Sequence, residues 1–141
     1  MKFGVGQPVK RFEDATLITG KGSYTDDIAL PSMTQAYILR SPVAHANLTK
    51  VDASEARKMP GVILVLTGDD VKVDGLGDIP CVAPLNNRDG SPRKDTPRPA
   101  LAIGKVRHVG QPVALVVAET LNQAKDAAEA IVVDYDELPA V

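Results

Sequence analysis

The chain has 141 residues, with 16 basic against 18 acidic side chains and a formal net charge of −2. This length fits one domain, and the near-balance of charge argues against a dedicated nucleic-acid binder, which shows a basic stripe. No apolar run approaches the roughly 20 residues of a membrane helix, the N-terminus lacks the apolar core of a signal peptide, and the single cysteine, Cys81, excludes both a disulfide framework and a self-contained iron–sulfur cluster, leaving the cytoplasm as the default compartment.

Residues 1–32 mix Gly, Pro and Asp with short apolar pairs, and predict an extended arm with a turn at Gly20-Lys21-Gly22. Thr34 to Arg40 reads as a strand buried on at least one face, ended by Pro42. Leu48 to Val51 is a short strand, and Asp52 and Glu55 have the spacing of a capping box for a brief helix that Pro60-Gly61 ends. Val62 to Leu66 is five straight apolar residues, the pattern of a strand covered on both faces, and Gly68-Asp69-Asp70 then turns the chain. Residues 71–99 are dense in Gly, Pro, Asn and charge, and predict a long mobile loop, mildly basic over 88–99.

The last third has the clearest pattern. Val113 to Ala118 is a buried strand, Thr120 and Gln123 repeat the capping-box spacing, and Ala124, Ala127, Ala128 and Ile131 make one apolar helix face with Asn122, Lys125, Asp126 and Glu129 opposite. A face made almost wholly of alanine lets the helix sit close to a sheet. Ile131 to Tyr135 returns as a strand. Two strand–helix–strand units, 48–66 and 113–135, therefore predict a small α+β fold with a mixed sheet. The chain then runs into the apolar Leu138-Pro139-Ala140-Val141, as though something follows or docks there.

The residues that could carry chemistry are few. His45 and His108 are the only histidines, and Cys81 sits in "DIPCVAP" without the glycines of a nucleophile turn, which reads as a half-buried loop thiol. The acidic groups "YTDDI", "TGDD" and "DYDE" follow no metal-loop pattern and suit turns and strand ends. No glycine pattern of a dinucleotide or phosphate loop is present. Arg40 at a strand end, if buried, needs a carboxylate or another surface. The residues alone thus describe a small α+β domain with no catalytic, cofactor-binding or metal-binding residue of its own. A hydrolase using Cys81 or His108, and a free-standing ligand- or nucleic-acid-binding domain using the basic loop 88–99, are the readings from other classes.

Six stretches taken in order are similar to one known family: "GQPVKRFEDATLITG" (6–20), "GKGSYTDDIALP" (20–31), "RSPVAHA" (40–46), "PGVILVLTGDD" (60–70), "KVRHVGQPVALVVAE" (105–119) and "AKDAAEAIVVDYDELPAV" (124–141). Together they resemble the N-terminal a/b hammerhead domain of the molybdenum hydroxylase large subunit, the family of xanthine dehydrogenase, aldehyde oxidase and the aerobic carbon monoxide dehydrogenase large chain. The family often has an aromatic residue or His where Val43 stands, and Arg where Asn47 stands.

The resemblance implies one hammerhead domain over 1–141, structural and inert alone. Such a domain packs on the molybdopterin-binding remainder of the large subunit, in a complex whose iron–sulfur and flavin (FAD) groups belong to partner subunits. The whole complex would hydroxylate an aldehyde or an N-heterocycle, or oxidise carbon monoxide, in the cytoplasm and without nucleic acid or membrane insertion. Leu138 to Val141 then corresponds to the junction with the molybdenum-binding domains, in a fragment or in the product of a split gene. Phe12, Tyr24, Arg40, His45, Leu138 and Val141 are the expected interface residues.

Overall fold

The computed structural model describes residues 6, 10–80, 85–94 and 96–140. Its contacts divide the chain into two units, Met1–Met33 and Thr34–Val141.

In the first unit the expected extended arm contains one short helix, α1 (Asp14–Ile18), and a 3-10 turn at Thr25–Asp27. Arg11 pairs with Asp14 at 3.0 Å beside α1, an exposed contact worth little. The Asp27 carboxylate accepts the Tyr24 amide at 2.9 Å and sets the second turn.

Among its described residues, the second unit has six strands: β1 (Gln35–Arg40), β2 (Ala46–Asp52), β3 (Val62–Thr67), β4 (Lys105–Val106), β5 (Pro112–Ala118) and β6 (Val132–Glu137). They form two three-stranded sheets, ordered β1-β5-β3 and β4-β2-β6, with every pairing antiparallel. The single mixed sheet expected from the two strand–helix–strand units is therefore two sheets. Each unit leaves one sheet and enters the other. β2 passes through a 3-10 turn (Ala56–Lys58) to β3, and β5 passes through α3 (Leu121–Glu129) to β6.

β5 is the central strand of the first sheet, which explains its uninterrupted apolar sequence. Ala114, Val116 and Ala118 face α3, whose Ala124, Ala127 and Ala128 are fully buried against them. Thr120 caps α3 by accepting the Gln123 amide, and its hydroxyl donates to Gln123 Oε1 at 2.8 Å. Ala46, Ala102, Val106 and Val113 form a second cluster, and Val51 and Val133 pack against both.

Two local expectations are corrected. Asp52 and Glu55 cap no α-helix. Asp52 Oδ1 accepts the Ser54 amide at 3.0 Å, and one 3-10 turn follows before Pro60-Gly61, where Val62 N returns to Met59 O across a glycine at φ +77°. The chain also does not merely turn at Gly68-Asp69-Asp70. A helix, α2 (Gly68–Val73), starts there under a complete capping box: Asp70 Oδ2 accepts the Thr67 amide and hydroxyl, both at 2.7 Å, and Thr67 Oγ1 accepts the Asp70 amide.

Arg57 closes this corner. Its guanidinium lies 2.7 Å from Asp70 Oδ2 and also donates to the Val65 carbonyl of β3, an outermost strand. A charged side chain at a sheet border discourages strand addition there. Burial alone would push the Asp70 carboxyl up. The Thr67 hydroxyl and amide and the Arg57 guanidinium stabilise its anion more, and hold it below the ordinary carboxylate range. A carboxyl depressed on folding contributes stability that is complete above its unfolded pKa of about 3.9 and is lost as pH falls through the lower folded value. Asp70→Asn should therefore cost about 1–2 kcal/mol at pH 7 and narrow the gap to wild type near pH 2. Thermal melts at both pH values check this, and a gap that stays constant would count against the capping account.

Candidate docking surfaces

Five of the six expected interface residues lie among the described residues; Val141 does not, and neither does Cys81. Phe12 and Tyr24 belong to the first unit, where they are 98% and 64% exposed. Arg40, His45 and Leu138 belong to the second. Of the two readings of Arg40, a carboxylate pair or another surface, the ion pairs among the described residues do not include the first. Arg40 is exposed and donates to the Gly110 carbonyl at 2.8 Å. Its neighbour Ser41 is the buried residue: its Oγ donates to Val43 O and its amide to Gln111 O.

The structure joins His45 to Leu138 and the residue after it. The Leu138 amide donates to the His45 carbonyl at 2.9 Å, and His45 Nδ1 lies 2.8 Å from Pro139 O. The segment beyond β6 is thereby fastened beside the start of β2. His108 stands at the same place. With His45, Lys105, Arg107, Pro139 and Ala140 it lines a surface hollow of about 640 Å³. The sequence reading missed Gln111, which holds the turn that carries Arg107 and His108. Gln111 is buried, and its Oε1 accepts the Arg107 amide at 2.7 Å, fixing the 107–111 turn. A polar residue just ahead of the apolar run 112–118 was the signal available.

A second surface lies on the first sheet. Residues paired across antiparallel strands share a face. Ile38 pairs with Leu115 and Leu115 with Leu66; Ala36 pairs with Val117 and Val117 with Leu64. These six alternate with the residues facing α3, so they occupy the opposite side of the sheet. Ile38 and Leu64 are 36% and 44% exposed, and Leu66, Leu115 and Val117 are half-buried. β3 is therefore not covered on both faces, as five straight apolar residues suggested. Ile63, at the irregularity between Val62 and Leu64, is 57% exposed.

Among the described residues, no three His, Cys, Asp or Glu side chains gather as a metal site, and every buried side-chain N or O has a hydrogen-bond partner. No helix among the described residues is long and apolar enough to cross a membrane.

Residues 19–139 match the family model described as "Aldehyde oxidase and xanthine dehydrogenase, a/b hammerhead domain". The carbon monoxide dehydrogenase large chain of Hydrogenophaga pseudoflava is 41% identical over 92% of this chain and 15% of its own length. The xanthine dehydrogenase molybdenum-binding subunit of Escherichia coli O157:H7 is 34% identical over 93% of this chain and 17% of its own length. The crystal structure of quinoline 2-oxidoreductase from Pseudomonas putida 86 superposes with a TM-score of 0.82 at 41% identity, covering 94% of this chain and 16% of that one. The chain thus spans about one sixth of the length of the curated relatives it matches. The chain belongs to the a/b hammerhead domain family of aldehyde oxidase and xanthine dehydrogenase, a domain of molybdenum hydroxylase large subunits.

Proposed function

We infer that this chain is the assembly domain of a molybdenum-dependent hydroxylase large subunit, inert alone, which packs on the molybdopterin-binding remainder of that subunit. The observation that carries this reading is the open apolar face of the first sheet. Six apolar side chains on three strands lie there opposite the α3 side, and contiguous apolar surface of that kind marks an interaction site. Residues 1–141 act as one hammerhead domain; the stretch expected as a loop from residue 71 begins instead after α2, which runs to Val73. Phe12, Tyr24, Arg40, His45, Leu138 and Val141 border the contacts. Iron–sulfur and flavin subunits complete a cytoplasmic complex that acts on carbon monoxide, an aldehyde or an N-heterocycle.

The test is co-expression of this chain with the remainder of the large subunit and the partner subunits from the same source, read by size exclusion, molybdenum content and turnover. The wild-type chain should co-elute and support turnover. The double variant Ile38→Asp/Leu64→Asp places charge at two exposed positions of the sheet face. It should keep its circular dichroism and a stability within about 1 kcal/mol of wild type, yet lose association by about a hundredfold or more, as for central interface positions. Equal association of the variant would remove the sheet face from the reading. Equal turnover without this chain would remove the assembly role.

A further inference from the structure

The two histidines of the chain come from distant segments and meet in the hollow at the end of the second sheet. His45 precedes β2, while Lys105, Arg107 and His108 come from β4 and the turn after it. Pro139 and Ala140, beyond β6, form the remaining wall. Among the described residues, no carboxylate lines the hollow, and no ion pair or side-chain hydrogen bond engages Lys105, Arg107 or His108. The chain as a whole has more acidic than basic residues. Two permanent cations and two imidazoles gathered without countercharge are therefore a local departure from its charge pattern.

The hollow is also held in shape. A carbonyl only accepts, so His45 carries its ring hydrogen on Nδ1 toward Pro139 O, and Nε2 is the nitrogen left for another partner. Gln111 Oε1 fixes the Arg107 amide, the Gly110 amide donates to Ser41 O, and Arg40 donates to Gly110 O. Charged groups on a backbone that is already ordered lose less freedom when a ligand arrives.

We propose that this hollow is a docking site for an acidic polypeptide segment, whose Asp or Glu carboxylates supply the missing countercharge to Lys105 and Arg107 beside the two imidazoles. A polypeptide suits it better than a small molecule. Arg107, His108 and Val109 are exposed, so the hollow is a trough without the walls that bury most of a small ligand's surface. Val109, Pro139 and Ala140 give the trough an apolar side for the aliphatic parts of the segment. Nucleic acid suits it less well, because no Phe, Tyr or Trp side chain lines it to stack a base and the chain carries a net charge of −2. The site belongs to the second sheet and stands independently of the open face of the first, so it does not rest on the assembly role.

The test uses the 141-residue chain, fluorescein-labelled hexaglutamate as the probe, and anisotropy at low and high salt. The imidazole proton resonances, of which two sets exist because there are two histidines, give a second readout. Hexaglutamate should bind more weakly as salt rises and should shift both histidines. Lys105→Ser/Arg107→Ser should lose about tenfold in affinity, while Lys72→Ser/Lys125→Ser, which removes the same charge from α2 and α3, should stay within about twofold. The wild-type histidine titration stands whatever the variants do to folding. Hexaglutamate that leaves both histidines unmoved would overturn the proposal. So would equal losses in the two double variants, which would mean a response to net charge alone. Oligothymidylate that shifts the same resonances at lower concentration would replace the acidic segment with nucleic acid.

Discussion

Replacing Gly68 with alanine is expected to destabilise the chain by about 3 kcal/mol, the upper end for an overpacked site. Gly68 is buried and opens α2. A Cβ built there would run into the backbone carbonyl of Ala102 and crowd Ile103 Cα. A flexible side chain could move aside, but this obstacle is backbone. Ala102 is itself 2% exposed, and its amide is tied to Pro112 O at 2.8 Å at the start of the central strand. Relief requires either α2 to swing off the Thr67 cap or the segment 101–104 to leave β5. Both routes break hydrogen bonds and open the cluster of Ala46, Ala102, Val106 and Val113. At this chain length the loss corresponds to a fall in Tm of about 10 °C. Gly77→Ala is the control. Its Cβ would meet nothing within 4 Å, so the change should stay within about 0.5 kcal/mol. A Gly68→Ala chain melting within 2 °C of wild type would mean that the joint between α2 and residues 101–104 is not packed as described.

Gly68 also shows why part of the fold was hard to read. In sequence, Thr67-Gly68-Asp69-Asp70 resembles a turn, because glycine is a poor helix residue and Asp is common in turns. It opens a helix because Thr67 and Asp70 cap each other, and because glycine is what fits beneath the Ala102 carbonyl. The opposite error occurred at Asp52 and Glu55, where the spacing of a cap was present. The Asp52 carboxylate was already taken by Ser54, and that Ser54 contact is the main cause holding it far below its ordinary range. Capping spacing is a local signal, and the competing bond two residues away is local too, so spacing alone could not choose.

The β5–α3–β6 unit was legible because its determinants are local: a continuous apolar strand, Thr120 as cap, and three alanines at helical spacing. The side of β3 was not. Five apolar residues suit a strand covered on both faces or one whose open face awaits a partner, and only the pairing of Leu66 with Leu115 and of Leu64 with Val117 separates the two. The docking surfaces divide in the same way. His45 and Leu138 stood out one by one, and the bond between them follows from β2 pairing with β6. The union of His45 with Lys105, Arg107 and His108 needs the order β4-β2-β6, which no short window of sequence contains.

Ala127→Leu should cost about 3 kcal/mol as well, by a different route. Ala127 is fully buried, between Ala124 and Ala128 on the face of α3 that packs against the first sheet. Three added carbons cannot be housed there unless the helix lifts, because Val65, Ala114, Val116 and Ala118 already fill the sheet side. Lifting α3 would also draw on Ile131 and the entry to β6, so the second sheet should loosen with the first. Lys125→Leu is the matched control, since Lys125 is exposed on the same helix and Lys and Leu have similar helix propensity; it should change stability by less than about 0.5 kcal/mol. Urea unfolding of both variants decides the matter. If Ala127→Leu unfolds at the same midpoint as wild type, α3 does not lie close on the Ala114, Val116 and Ala118 side. The inference that Leu115, Val117, Ile38 and Leu64 form the open side of that sheet would then lose its footing, because strand alternation assigns one side only by reference to the other.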